Sequence, residues 1–261
     1  MTSRVPGPYK KEVLGALCVV LVALILVGDA VAADSRAAVD SFLQRVGNVT
    51  IRSLVVEQTL TLYDPSGRQA KSTGEQRIYL KLPRRQRLEQ VVDGQREVRL
   101  IVDDRAWVRR ADGRTYEAPP PDHRRDHTHL LVPLRRSSAD LLAEWTTLGV
   151  RGDVSYDTNV AGRRITVIGA APGERAVPQV WLDSERGVVR FVARERLPKG
   201  DGLLDLTFSE HRPLAGGFAY PYRQEAFVDG KLVLLVAVRT ASINTDPDDA
   251  LFDPDALKRG R

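Results

Sequence analysis

The sequence predicts a mainly β (α+β) protein built around one large antiparallel sheet. Two stretches, Leu54–Leu62 and Gln76–Leu82, alternate apolar and polar residues with a period of two, which is typical of half-buried strands. Asp229-Gly230 joins two further apolar runs with the residues that two-residue hairpin turns prefer. We therefore expect about 11–12 strands, with two amphipathic helices available to cover one face of the sheet.

The first predicted helix covers 35–46, with Asp34 or Ser35 as its cap. Its apolar residues recur at i, i+3, i+4 and i+7: Val39, Phe42, Leu43 and Val46. The second predicted helix covers 137–146, with Ser137 or Ser138 as its cap. Its apolar face consists of Leu141, Leu142 and Trp145.

The predicted strands fall into two runs, separated by the prolines at 119–121 and the second helix. Turn residues bound most of them. The first run is Leu54–Leu62, Gln76–Leu82, Leu88–Val92, Val98–Asp103, Ala106–Arg110 and Arg114–Glu117. The second run is Arg164–Ile168, Gln179–Asp183, Val188–Glu195, Leu203–Ser209, Tyr222–Val228 and Lys231–Ile243.

Residues 1–32 are predicted to be a cleaved secretory signal peptide. A basic start precedes the apolar run Val13–Gly28, and Ala30-Val31-Ala32 fits a small-residue cleavage site. The run is shorter than the roughly 20 residues that a membrane-spanning helix needs, which disfavours the alternative of an uncleaved inner-membrane anchor. Cleavage after Ala32 would leave a single domain, 33–261, in the periplasm.

Composition limits the chemistry of this mature chain. Its one cysteine, Cys18, would leave with the signal peptide, which excludes disulfides and thiol catalysis. Removing 1–32 takes away three of 39 Lys and Arg and two of 34 Asp and Glu, so the formal net charge falls from +5 to +4. The two signs are interspersed, which indicates solvated strand faces and no nucleic-acid partner.

The sequence predicts no enzyme and no cofactor. It contains no G-x-S-x-G nucleophile turn, no G-x-x-x-x-G-K phosphate loop and no H-E-x-x-H metal motif. His211 stands alone at a strand end, where a histidine is more often structural, and Asp183 is interpreted as a turn former.

A group of histidines offers the main alternative, a metal site. The candidate ligands lie within eight residues: Asp122, His123, Asp126, His127 and His129. Neutral imidazoles suit zinc, copper or nickel. Arg124-Arg125 would oppose a cation, however, and the run also fits a solvated basic loop. The prediction is that no metal is bound.

Several segments in fixed order resemble the LolA-type periplasmic lipoprotein carrier superfamily, the outer-membrane lipoprotein-sorting proteins. They are VEQTLTLYDPSG, GEQRIYLKLP and DDRAWV, then VPQVWLDSERGVV, YPYRQEAFVDGK and SINTDPDDALFDP. The resemblance covers most of 34–254. It implies an unclosed antiparallel β-barrel or half-barrel with a helical lid over an apolar cavity. It also implies a carrier function, with lipoprotein acyl chains or lipid as ligand and a donor or acceptor protein in the inner or outer membrane.

On this resemblance, one face of the first two strands is expected to line the cavity: Leu54, Val56, Leu60, Leu62, Ile78, Leu80 and Leu82. The lid residues are expected to be Val39, Phe42, Leu43, Leu141, Leu142 and Trp145. From the residues alone, the same side chains could form an ordinary closed core. A second function is also open, a regulatory sensor of the same fold that binds a membrane protein.

Leu82 departs from the family pattern, because the carriers have a lid-fastening arginine at that place. The lid is therefore expected to be held by apolar contact alone. Lys81 should look outward, so Lys81→Glu should barely affect ligand binding. The arginine pairs at 84–85, 124–125 and 135–136 could meet anionic lipid head groups, or could serve solubility.

Overall fold

A computed structural model describes residues 31–119, 128–132, 137–197 and 200–260. These residues form one antiparallel sheet of 14 strands, which confirms the mainly β class. The strands are β1 (Val31–Ala32), β2 (Ser53–Tyr63), β3 (Ala70–Lys81), β4 (Arg85–Val92), β5 (Gln95–Val102), β6 (Arg105–Arg109), β7 (Thr115–Ala118), β8 (Ser155–Val160), β9 (Arg163–Ile168), β10 (Gln179–Asp183), β11 (Gly187–Leu197), β12 (Gly200–Pro213), β13 (Ala219–Val228) and β14 (Lys231–Ile243).

The sheet consists of two meanders joined by its last strand. Strands β2 to β7 pair in sequence order, as do β8 to β14, and β14 then pairs with β2. The β14–β2 register runs from Leu234 opposite Leu62 to Ile243 opposite Leu54. Strands β1 and β7 stand at the two ends of the order, so the sheet is unclosed, as predicted.

The helices of the described residues are α1 (Ser35–Gly47), α2 (Thr128–Leu131), α3 (Ser138–Thr147) and α4 (Pro254–Arg259), with 3₁₀ turns at Ala215–Gly217 and Asp249–Phe252. None of these helices is long and apolar enough to cross a bilayer.

Side-chain caps fix the starts of α1 and α3. Asp34 Oδ1 accepts hydrogen bonds from the amides of Arg36 and Ala37 at 2.9 and 3.1 Å. The Ser137 hydroxyl accepts from the Asp140 amide at 3.1 Å, and the Asp140 carboxylate accepts from the Ser137 amide at 3.2 Å. Both helices begin and end within one residue of their predicted bounds.

Strand β3 differs from its prediction at both ends. It begins at Ala70, well before the predicted Gln76, because β2 requires a partner along its whole length and Leu62 lies opposite Ser72. It ends at Lys81. Leu82, predicted as the last strand residue, instead lies in the following turn and is half-buried there.

Two strands, β1 and β8, are missing from the sequence prediction. In β8, Ser155–Val160, polar side chains lie on both faces of the strand. The sequence there shows no alternation of apolar and polar residues that would predict a strand. The pairing with β9 defines the strand, through a tight turn at Ala161-Gly162 in which both residues have positive φ, 50° and 78°.

Candidate functional site

The two faces of the sheet have different covers. We call inner the face to which Leu54, Val56 and Leu60 project, and outer the face of Val55 and Glu57; burial alternates accordingly along β2. On the inner face, Leu80 lies opposite Leu54 and Ile78 lies opposite Val56, as the predicted alternation requires. Helices α1 and α3 pack on the inner face, and α4 packs on the outer face.

Helices α1 and α3 cover the inner face of the second meander, in what we call the helix cluster. Val180 of β10, Phe191 of β11 and Phe208 of β12 form its floor, with at most 6% of each side chain exposed. All six predicted lid residues belong to it: Val39, Phe42, Leu141 and Trp145 are buried, and Leu43 and Leu142 are partly buried. The lid helices therefore lie mainly over β10–β12, and Val46 at the end of α1 also reaches the β2–β3 side.

The turn between β10 and β11 supports this arrangement. Gly187 has a φ of 87°, and a Cβ atom at this position would lie 3.1 Å from the Phe42 ring. Glycine is needed there both for the left-handed backbone and for the close approach of α1. Asp183 forms the turn, as predicted, since its Oδ1 accepts from the amides of Glu185 and Arg186 at 2.8 and 3.2 Å.

One polar contact also fastens α1. Arg45 Nη1 lies 3.6 Å from Glu185 Oε1 in the same turn, and both side chains are more than half exposed. Such an exposed ion pair contributes about 0–1 kcal/mol to the stability of the fold. The expectation that apolar contact alone holds the lid is thus incomplete, although apolar burial dominates.

A second group, the hairpin cluster, occupies the inner face of β2, β3 and β14. It contains four of the seven predicted cavity residues: Leu54, Val56 and Leu80, which are buried, and Ile78, which is partly buried. Val132 and Phe218 pack onto them, with 1% and 5% exposure. Val46 and Leu131 contact both clusters and connect them. At this position the inner face is a packed apolar core.

A further apolar part of the inner face, which we call the strip, runs from β2 across β14, β13 and β12. Its residues are Leu60, Leu62, Leu204, Ala226, Leu234 and Val236. Leu62, Leu234 and Ala226 are direct cross-strand partners, and Val236 lies opposite Leu60. None of the six belongs to an apolar cluster of the described residues. Exposure rises from 8% at Leu60 to 38% at Leu62, so the strip opens toward the end of β2.

A ladder of amides crosses the inner face from β2 to β5, and its first member, Gln58, lies between Val56 of the hairpin cluster and Leu60 of the strip. Gln58 Nε2 donates to Gln76 Oε1 at 2.5 Å, Gln76 Nε2 to Gln90 Oε1 at 3.2 Å, and Gln90 Nε2 to Glu97 Oε1 at 3.4 Å. Every amide donates in the direction of the Glu97 carboxylate. Gln58 is 5% exposed, and its Oε1 is left without a donor at the inner end of the ladder.

The basic segment after β3 binds the C-terminal segment on the outer face. Lys81 Nζ lies 3.1 Å from Asp246 and 2.9 Å from Asp249, and these carboxylates, Asp249 first, raise the pKa of Lys81. Arg85 Nη1 lies 2.8 Å from the same Asp249. Lys81 does look outward, but onto carboxylates. Lys81→Glu would place a negative charge next to these two carboxylates. The substitution is therefore not a neutral control, contrary to the expectation from the sequence.

Arg87 makes the most buried of these contacts. Its Nη1 donates to the Leu251 carbonyl at 3.0 Å and its Nε to Glu89 at 2.6 Å, while only 3% of the residue is exposed. Among the described residues, no ion pair or hydrogen bond connects Arg84, Arg85 or Arg87 to α1 or α3. These arginines therefore do not fasten the lid helices in the described part of the chain.

His211 is the one strongly perturbed histidine of the described residues. Both ring nitrogens are buried without a hydrogen-bond partner. Burial first, and then the charges of Arg186 and Arg163, lower the pKa of His211 to about 4 against the opposing effect of Asp183. Asp183 itself is buried, yet Arg163 and two backbone amides keep the pKa of this carboxyl below its usual value. The arrangement keeps His211 neutral, which indicates a structural role.

This histidine should make folding stability depend on pH. The unfolded chain protonates His211 near pH 6.5 and the folded one near 4, so stability is lost as pH falls through that window. At pH 5 we expect a loss of roughly 1 kcal/mol, discounted for a partly exposed ring, or about 2–4 °C in Tm. Melting wild type and His211→Leu at pH 7 and pH 5 tests this. An equal drop in both proteins would exclude His211 as the cause.

Among the described residues, no three His, Cys, Asp or Glu side chains are placed to hold a metal ion. His123, His127 and both aspartates of the histidine group lie outside the described residues, as does the side chain of His129. The prediction that no metal binds there therefore stays a prediction.

Sequence reasoning missed four members of the strip: Leu204, Ala226, Leu234 and Val236. The available signal was the nearly continuous apolar run of β14, which marks a strand buried on both faces. The alternation in β2 identified Leu60 and Leu62 because that pattern is local. Their partners in β14 are more than 170 residues away, and only the sheet order brings them together.

No family model matches the sequence, and no curated protein matches it. Solved structures do match. A DUF1329 family protein from Desulfovibrio piger is 14% identical with a TM-score of 0.54, over 86% of this chain and 99% of that one. A putative outer membrane lipoprotein-sorting protein domain from Vibrio parahaemolyticus is 14% identical with a TM-score of 0.54, over 86% and 100%. A LolA superfamily protein from Nitrosomonas europaea is 11% identical with a TM-score of 0.50, over 86% and 99%.

Proposed function

We propose that this chain, whose fold is LolA-like, is a non-enzymatic periplasmic carrier or binding protein for lipoproteins or other acyl-chain ligands. The strip is the observation that carries the proposal. It adds apolar side chains to the inner face beyond the two packed clusters: four of its residues are at most 8% exposed, and Leu62, at one end, is 38% exposed. An acyl chain laid along the strip would bury its methylenes against leucine and valine side chains.

The energetics favour a ligand that is mostly hydrocarbon. Each buried methylene contributes about 0.8 kcal/mol, so several suffice for binding without a dedicated charged group. The name of the Vibrio parahaemolyticus relative, a lipoprotein-sorting domain, suggests lipidated proteins as cargo. A donor or acceptor in the inner or outer membrane would then exchange the ligand with this chain.

Export with cleavage after Ala32 is part of the proposal. Cleavage would remove β1 but keep the contacts of Ala33, whose amide donates to the Ser155 carbonyl at 3.4 Å and whose carbonyl accepts from the Ser155 hydroxyl at 2.5 Å. The new α-amino group of Ala33 would thus lie next to a hydrogen-bond acceptor, the Ser155 carbonyl. The intact mass of the exported protein should correspond to a chain that begins at Ala33.

The binding test uses two matched pairs of substitutions in β2 and β14. Leu62→Asp/Leu234→Asp places two carboxylates on cross-strand partners of the strip, whereas Thr61→Asp/Leu235→Asp places them on the neighbouring partners of the outer face. A carboxylate against hydrocarbon is costly, so the first variant should bind a fluorescent fatty acid at least tenfold more weakly. The second should bind within twofold of wild type.

Both variants carry the same two like charges in the same strands, so their losses of stability should be similar. Circular dichroism and melting would confirm that each is folded. The proposal fails if wild type does not bind the probe, or if the two variants bind it equally well. The regulatory sensor, which needs no apolar ligand, would then be the better interpretation of the fold.

A further inference from the structure

A cavity lies on the outer face, at the end of the sheet where β4 and β6 end. Its volume is about 200 Å³, and four arginines line it: Arg87, Arg96, Arg109 and Arg110. Val98 and Leu257 supply an apolar floor. Among the described residues, no acidic side chain belongs to the lining, so the cavity presents guanidinium groups to whatever enters it.

The charges around this cavity are not balanced. Glu89 interacts with Arg87 at 2.6 Å and with Arg96 at 3.5 Å, and so serves two of the four arginines. Among the described residues, no carboxylate lies within ion-pair distance of Arg109 or Arg110. The Arg109 guanidinium lies against the backbone of Gly260, and Arg110 stacks over the Tyr116 ring at 5.2 Å.

A neighbouring cavity shows that this imbalance is local. It also lies on the outer face, has a volume of about 390 Å³ and contains three arginines and three glutamates. There each arginine has a partner: Arg77 pairs with Glu57, Arg239 with Glu75 at 2.9 Å, and Arg96 with Glu89 at 3.5 Å. The three arginines and three glutamates of that cavity balance, whereas two arginines of the arginine cavity have no acidic partner among the described residues.

The arginine cavity lies at the end of the sheet where the strip opens. In an antiparallel meander β2, β4 and β6 run in one direction, so Leu62, Val91 and Arg109 lie at the same end. Val91 and Tyr116 at this end are 42% and 41% exposed. Exposed apolar and aromatic side chains beside arginines are typical of surfaces that meet lipid head groups.

From this placement we propose that the cavity formed by Arg87, Arg96, Arg109 and Arg110 binds the phosphate groups of anionic membrane lipids and docks this end of the protein on a bilayer. Guanidinium groups bind phosphate oxygens through paired, charge-assisted hydrogen bonds. Docking here would bring the open end of the strip to the membrane surface. The inference does not depend on acyl binding in the strip, since the cavity lies on the other face.

Vesicle co-sedimentation tests the proposal with two charge-matched variants. Arg109→Gln/Arg110→Gln removes the two cavity arginines that have no carboxylate partner in the described part of the chain. Arg175→Gln/Arg194→Gln removes two exposed arginines for which the structure shows no acidic partner among the described residues. Wild type should bind vesicles with one-third phosphatidylglycerol and not pure phosphatidylcholine. A tenfold change in affinity corresponds to about 1.4 kcal/mol. Removing the two cavity arginines should therefore weaken binding roughly thirty-fold, and removing the control pair should weaken it less than threefold.

The single variant Arg110→Gln, at an exposed position, guards against misfolding and should weaken binding about fivefold. Binding of wild type should also fall when 50 mM phosphate replaces chloride at equal ionic strength. The proposal is wrong if wild type ignores anionic vesicles, or if the cavity and control pairs lose binding equally. It is also wrong if inorganic phosphate binds the cavity while vesicles do not, which would identify a site for free phosphate.

Discussion

Replacing Trp145 by alanine should lower the free energy of unfolding by about 3–5 kcal/mol. The side chain is 2% exposed and lies in the helix cluster, between α1 and the inner face of the second meander. Removing it leaves a cavity that Phe42 and Leu141 cannot fill, since both are already packed in the same cluster. Urea denaturation followed by circular dichroism would measure the change.

Trp145→Phe is the matched control. The Trp145 indole N–H is buried without an acceptor, so phenylalanine loses no hydrogen bond and only part of the volume. We expect a cost of about 1 kcal/mol for this variant. A loss below 1 kcal/mol for alanine itself would mean that α3 is not part of the cooperative core and that the helix cluster contributes little to the fold.

The second large effect is expected at Arg87. Arg87→Met should lower stability by about 3 kcal/mol, because it leaves Glu89 and the Leu251 carbonyl without their buried partner. The C-terminal segment should then detach more readily from the outer face, where Phe252 and Leu257 pack against Leu100 and Trp107. Denaturation and limited proteolysis of the C-terminal segment would report both consequences.

Arg84→Met is the control from the same basic segment. Arg84 is mostly exposed, and its contact with Asp104 is 3.6 Å long, so its loss should cost less than 1 kcal/mol. Equal losses for Arg84→Met and Arg87→Met would show that overall charge matters here. The specific attachment of the C-terminal segment would then be excluded.

Local patterns were sufficient for much of the fold. Alternation placed Leu54, Val56, Ile78 and Leu80 on one face, because the strand period of two is a property of adjacent residues. The residues that cover that face could not be predicted. Val132 and Phe218 are distant from β2 in the sequence, and no local pattern indicates that they pack on it. The lid helices were found with correct bounds, but their position over β10–β12 depends on the sheet order.

The C-terminal helix shows a signal that was present but not used. Asp253-Pro254 is a typical helix start, and Gly260 follows the last helical residue with a φ of 89°. The segment is only six residues long and lacks an apolar period. Its place on the outer face depends on tertiary structure: Lys81 and Arg85 pair with Asp249, just before the helix, and Leu257 packs against Leu100 and Trp107.

The pairing of β14 with β2 has a consequence for the order in which the chain can fold. Strand β2 leaves the ribosome early and can pair at once with β3, but its other edge waits for β14, more than 170 residues later. Until then, an 11-residue strand rich in leucine, valine and threonine presents an open edge, which invites pairing with other chains. Because the closing contacts are so distant in sequence, we expect slow folding and a need for protection of the nascent first half.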